Sequence, residues 1–103
     1  MYYTPEDVKQ FINNKQFIDT AVVPLVSISF EEQKSIHMSS AADFLMGLTN
    51  FIEQQFKGRL MVMPPFTYFD EKQEMLNIDL IHQQLLVSGF KHIFFITCDN
   101  LWV

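Results

Sequence analysis

The stretch Glu31–Asp43, EEQKSIHMSSAAD, puts three carboxylates and an imidazole within thirteen residues. Glu32, His37 and Asp43, with Asp99 further along the chain, are the donor types that hold a divalent metal, provided the backbone brings them to fixed tetrahedral or octahedral positions. Lys34 stands among them, and an ammonium group there repels a cation. The other reading is a solvated polar loop running into a helix, with Asp43 in its first turn, where the dipole favours an acid. A second chemistry centres on Cys98, the sole cysteine. It would need His37 as base and an acid as orienter to act as a nucleophile; Asp99 beside it is a second catalytic candidate. A small buried residue at the end of a strand is the plainer role for such a cysteine.

These residues are positioned by elements that the sequence marks clearly. TPEDVKQFINN opens with Thr4 as cap, Pro5 at the first helical position and Glu6 and Asp7 at the positive end of the dipole. Val8, Phe11 and Ile12 share its apolar face. Residues 21–28 are short, apolar and β-branched, as expected of a strand buried on both faces. Pro24 inside it requires a bulge or an edge position. Ser39 or Ser40 caps a second helix expected to reach Phe56, with Ala41, Leu45, Leu48, Ile52 and Phe56 as its stripe and Gly58 just beyond. RLMVMPP reads as a second strand stopped by Pro64 and Pro65, with Met61 and Met63 in the core. FTYFDEKQEML reads as a loop, its Phe66, Tyr68 and Phe69 divided between a core and an exposed aromatic role. A third helix is expected over residues 77–88, with Ile78, Ile81 and Leu85 inward and Gly89 as its stop. HIFFIT, His92–Thr97, is the third strand, with Phe94 and Phe95 as core residues.

Strand, helix, strand, helix, strand is a βαβαβ alternation. It predicts an α/β fold of three layers, αβα, with a short parallel sheet, strand order 2-1-3 or 3-2-1, and helices on both faces. Ligands of open parallel sheets bind beyond the carboxyl ends of the strands. Topology therefore draws Ser27, Glu32, Lys34, His37, Asp43, Tyr68, Cys98, Asp99 and Asn100 toward one rim. Ser27, Glu32, Lys34, His37, Asp43, Tyr68 and Asn100 are the expected cleft.

Bulk properties narrow the classes. The 103 residues suit one domain, residues 1–103; 49% are apolar, and the net charge is −5. Seven scattered Lys and Arg form no basic patch, so nucleic acid is not an expected partner. No apolar run reaches the ~20 residues of a spanning helix, so no membrane insertion is expected. A lone cysteine and the absence of a secretory leader point to the cytoplasm. The crowding of Phe94, Phe95, Ile96, Leu101, Trp102 and Val103 near the C-terminus calls for cover, by a fold-back of the tail or by a partner.

Three blocks, IDTAVVPLVSISFEE, QFKGRLMVMPPFTYF and GFKHIFFIT, resemble in order the YpiF-like family of Gram-positive spore-formers, which has no assigned function. That likeness runs from the first helix onward. It implies members that continue past Val103, and so a domain lacking a C-terminal portion. More distantly, the chain is similar to the creatininase and creatinine-amidohydrolase family. Pro24 and Ser27 match the end of its first strand, Glu32 and Gln33 its Glu-Gln, His37 its last His and Asp43 its Asp. Pro64, Pro65 and Tyr68 resemble its Pro-Pro and Tyr, and Gly89, Phe90 and the strand His92–Thr97 the approach to its closing motif. Lys34 stands where that family has a metal-binding His, and Thr97-Cys98-Asp99-Asn100 replaces the closing Asn-Gly-His-Gly-Gly-Asn. The resemblance thus implies a creatininase-like fold with a degenerate metal site, of which Glu32 and Asp43 remain.

Three function classes follow: a non-catalytic binding or assembly protein, a metal-independent hydrolase acting through Cys98 or Asp99, and a metal-dependent amidohydrolase of creatininase type. The first is favoured, with no cofactor, a homo-oligomer as the expected assembly and an unidentified protein as the other partner.

Overall fold

The computed structural model describes residues 1–102. Helix α1, Pro5–Asn13, starts at Thr4, whose side-chain oxygen accepts the Asp7 N–H. Strand β1, Thr20–Ile28, is followed by helix α2, Glu32–Gln55. Strands β2, Leu60–Val62, and β3, Phe66–Phe69, come next; a 3-10 turn, Gln73–Met75, leads to helix α3, Ile78–Val87, and strand β4, His92–Thr97. A second 3-10 turn spans Asn100–Trp102.

All strand pairs are parallel, and β1 is the centre. β4 lies along one edge of β1, with Thr20 opposite His92 and Leu25 opposite Thr97. The other edge is shared by two short strands in succession. Thr20–Val22 pair with β2 and Leu25–Ile28 with β3. Between Val22↔Val62 and Leu25↔Phe66, residues 63–65 oppose only residues 23–24, which is a bulge of one residue. The Met63 N–H donates to the Val22 carbonyl, so even-numbered residues of β1 point their backbone polar groups to this edge. The missing N–H of Pro24 therefore falls in the bulge, opposite Pro64 and Pro65, where no ladder bond is lost. The order is that of strand 2, strand 1, strand 3 in the sequence reading, with β3 added.

Side chains alternate across β1. Ala21 packs with Phe11, Val8 and Leu85, and Val23 and Leu25 pack with Ile78, Ile81 and Leu85, so α1 and α3 cover one face. Phe11 stacks on Phe90 with ring centroids 4.7 Å apart. Val22 packs with Ile52 on the other face, under α2. Helices thus lie on both faces of a small parallel sheet. Gly58 and Gly89, at φ +85° and +114°, make the turns that leave α2 and α3.

Several expectations are corrected. α2 begins at Glu32, not at Ser39 or Ser40, so the polar segment is helical rather than a loop. A helix that starts directly after β1 needs only Ser29–Glu31 as connection, and the apolar spacing from Met38 onward extends back without a breaker. FTYF is a strand, because the Pro pair interrupts the edge without ending it. Ile12, Phe56 and Phe94 are exposed, and Leu48 is 37% exposed, rather than core. Buried polar residues Thr49 and Glu53 take part of the face assigned to the apolar stripe of α2. Trp102 folds back against Tyr68, while Leu101 stays exposed and Val103 lies outside the described residues.

Candidate functional site

The carboxyl ends of β1, β3 and β4 converge on one rim, against the N-terminal half of α2. A cleft of about 120 Å³ opens there, lined by Ser27, Asp70, Cys98, Asp99 and Asn100 over a floor that includes Leu25 and Leu45. Ligand pockets run to roughly 300–1,000 Å³, so this one takes water or a small ion rather than a metabolite.

Asp99 organises the rim. Its Oδ2 accepts the Tyr68 hydroxyl and, at 3.0 Å, the Gln73 amide; its Oδ1 accepts the Leu101 N–H at 3.1 Å. The Asp99 N–H donates to Thr97 Oγ1 at 3.0 Å. Trp102 completes the set, its indole N–H donating to the Tyr68 oxygen at 2.6 Å with the rings edge to face. Burial works to raise the Asp99 carboxyl, but the bonds from Tyr68, Leu101 and Gln73 outweigh it and hold the pKa below the usual value. Tyr68 is pushed up to about 12, first by burial and then by its bond to Asp99. Asp99 thus spends its acceptors on holding the chain's last turn to the sheet. A carboxylate engaged in three such bonds is a poor candidate for orienting a base.

The remaining candidates are spread out. Glu32, His37 and Asp43 are exposed on α2, and the cleft is not lined by any of them. Glu32 and Asp43 are eleven residues apart in one helix, about 16 Å along its axis. A single metal ion cannot bridge that distance, so these two do not form a site. Among the described residues, no group of three or more His, Cys, Asp or Glu is arranged to hold a metal. Lys34 is not in their midst. It donates to Asp70 Oδ2 at 3.0 Å and lies 3.6 Å from Glu31, tying the first turn of α2 to the end of β3. The Asp70 hydrogen bond and charge, followed by Glu31, raise the Lys34 pKa. Ser27, Cys98 and Asn100 do line the cleft, with Cys98 an exposed free thiol and His37 not beside it. Tyr68 lies beneath, only 1% exposed.

Two features were missed in the sequence. Asp70, at the end of β3, was hidden by reading FTYF as a loop; its aromatic and β-branched composition is the signal for a strand. The other is Glu53, which is buried and receives the Met1 ammonium group at 3.1 Å. That ammonium also donates to the Leu60 carbonyl at 3.1 Å, while the Met1 carbonyl accepts the Val62 N–H at 2.7 Å. Tyr2 bridges to Val62, so the first residues run beside β2. No periodicity announces a lone acid paired with a chain terminus.

A larger apolar surface lies elsewhere. α2 packs over β1 and β2, and beside it the face of β4 that carries Phe94 and Ile96 is only partly covered. Ile52, Phe56, Val22, Leu60, Phe94 and Ile96 line a trough of about 670 Å³ there, with Phe94 57% exposed.

A family model described as a protein of unknown function, DUF2487, matches residues 9–103. The chain belongs to the DUF2487 family. The chain is 32% identical over 99 residues to the uncharacterized protein YpiF of Bacillus subtilis (strain 168), a match that covers 93% of the chain and 64% of the relative. The chain therefore spans less than two thirds of that relative's length. No solved structure matches it. Among the described residues, no helix is long and apolar enough to cross a membrane.

Proposed function

We propose that this DUF2487 chain is a non-catalytic binding and assembly domain of the cytoplasm. It works through the open side of β4 and self-associates by pairing β4 strands of two copies across a two-fold axis. One observation carries the reading: among the described residues β4 pairs with β1 alone, and the face beside it is an open trough lined mainly by apolar side chains, with Asp19, Arg59 and His92 also in its lining. HIFFIT contains no Pro and no carboxylate or Lys/Arg, so it lacks the usual devices that stop an edge from pairing.

The rim supports the same reading. Lys34 is engaged with Asp70, and Glu32 and Asp43 are too far apart along α2 to share an ion, which supports reading the creatininase-like pattern as a remnant. The fold-back of Trp102 favours the β4 edge over the C-terminal tail as the contact. Sedimentation of the purified chain tests the proposal, with a species heavier than the 12.1 kDa monomer as the supporting result. An enzyme reading predicts otherwise. A metal-dependent amidohydrolase would carry stoichiometric zinc or manganese on elemental analysis, and a Cys98 hydrolase would lose turnover of an amide or ester on Cys98→Ala while keeping its fold.

A further inference from the structure

We propose that the surface around Phe30 docks a basic, amphipathic segment of another protein, with apolar side chains at the centre of the contact and lysines or arginines at its rim. This surface lies at the carboxyl ends of β1 and β3, away from the β4 edge, and the proposal does not depend on assembly through that edge. Only Ser29–Glu31 join β1 to α2, and a short surface connection calls for polar residues. Phe30 nevertheless stands there 84% exposed. Ile36 on the first turns of α2 is 77% exposed, Phe69 at the end of β3 50% and Met75 54%. The four adjoin one another. Phe30 lines two shallow clefts, one of about 420 Å³ shared with Phe69 and one of about 240 Å³ shared with Ile36. The Phe69 N–H donates to Met75 Sδ at 3.5 Å. Single exposed apolar side chains are ordinary on a protein surface, whereas a contiguous group marks a contact.

The rim of this apolar group is acidic. Glu31, Asp70 and Glu71 line the cleft between Phe30 and Phe69. Glu32 stands one helical turn before Ile36 on the same flank of α2, and Glu74 precedes Met75. Two lysines, Lys34 and Lys72, face these five carboxylates, so three of the chain's five net negative charges sit here. Lys34 is already engaged with Asp70 and Glu31. Among the described residues Glu32, Glu71 and Glu74 make no ion pair, and no three acids are arranged to hold a metal ion. Glu71 holds a left-handed backbone, φ 62°, which glycine adopts with least strain, so its side chain is not what makes the turn.

Charge selects the occupant. An apolar centre inside a polar rim is the anatomy of a protein–protein interface. Anionic membrane surfaces and nucleic acid carry the sign of this rim and are repelled by it. A second copy docked through the same surface would set like charges together. A segment with apolar side chains between lysines or arginines is complementary on both counts. Its apolar groups fill the clefts on either side of Phe30, and its cations meet Glu32, Glu71 and Glu74.

The experiment uses short fluorescein-labelled peptides of leucine and lysine, one with its leucines at helical spacing and one in strict alternation. Leucine–glutamate and serine–lysine peptides are the controls. Titrated with the 103-residue chain and followed by anisotropy, at least one leucine–lysine peptide is expected to bind saturably, more weakly as salt rises, and the controls not at all. Phe30→Ser, at an exposed position, should weaken binding about tenfold or more. Glu71→Gly removes a carboxylate and relaxes the turn. It should weaken binding while the urea midpoint stays or rises, a combination that a purely structural role would not give. Val87→Ser on α3 and Phe94→Lys on β4 should leave binding unchanged. No binding by either leucine–lysine peptide, equal binding by a control, or binding that survives Phe30→Ser overturns the proposal. Sedimentation of the same samples reads assembly separately. Self-association without peptide binding overturns docking and leaves assembly standing; peptide binding by a monomer supports docking and overturns assembly through β4.

Discussion

Trp102 donates its indole N–H to the Tyr68 oxygen at 2.6 Å, and Tyr68 in turn donates to Asp99. A strand in the middle of the chain is thereby tied to the chain's last described turn, thirty-four residues later. Tyr68→Phe leaves the indole N–H and one oxygen of Asp99 without this partner. A loss of about 1–3 kcal/mol is expected, read as a lower urea midpoint. Trp102 is the sole tryptophan, so its fluorescence should shift in the variant before global unfolding.

The same network sets a dependence on pH at both ends. Asp99 has a lowered folded pKa, so its contribution is present above the unfolded value near 4 and is lost as pH falls through the folded one. Tyr68 has a raised folded pKa, so its contribution is full below the unfolded value near 10 and is lost as pH rises from there to about 12. Denaturant melts from pH 2 to 12 should show Asp99→Asn flattening the acid limb and Tyr68→Phe flattening the alkaline one. Unchanged limbs in both variants would contradict the roles given to these residues.

Glu53 and the Met1 ammonium form the buried ion pair of the described residues. Removing one partner strands the other charge. Glu53→Gln is expected to cost on the order of 3 kcal/mol. A peptide extension ahead of Met1 converts the ammonium to an amide and should also destabilise. In a double-mutant cycle the two changes together should cost less than their sum, because the second has no charge left to strand. Strict additivity would deny the pair its role.

Lys34 is exposed and paired with Asp70 and Glu31, so Lys34→Ala should barely move the urea midpoint, and less still at high salt. Lys34→His should not create a metal site, since Glu32 and Asp43 remain about 16 Å apart along α2. Calorimetric titration with zinc checks this; stoichiometric binding tighter than about 10 µM would show that the helix can present these side chains to one ion.

Much of the fold was legible because burial writes a period into the sequence. The β-branched run of β1, the cap at Thr4, the stops at Gly58 and Gly89 and the bounds of β4 are all local signals. Pro24 called for a bulge or an edge position, and the bulge is what the register shows. The start of α2 was misread because a polar run with Ser residues looks the same in a loop and on the exposed first turns of a helix. β3 was misread because a Pro pair usually ends a strand, and only the register with β1 reveals a strand that resumes. The rim followed from topology, and Ser27, Cys98, Asp99 and Asn100 line one small cleft there. Glu32, His37 and Asp43 were not, because their direction depends on helix phase. The apolar trough was least legible. Phe94, Leu48 and Phe56 look like core in sequence, and their exposure emerges only when α2 is seen to stop short of β4.

Sedimentation velocity over a range from about 1 to 100 µM, on the chain and on Phe94→Lys, tests the assembly role most directly. Phe94 stands 57% exposed on the open face of β4, and a lysine there places a charge on an otherwise uncharged strand. The chain is expected to sediment above its 12.1 kDa monomer mass and to dissociate on dilution, with the variant a monomer throughout. A single 12.1 kDa species at every concentration, identical in the chain and the variant, would contradict the account.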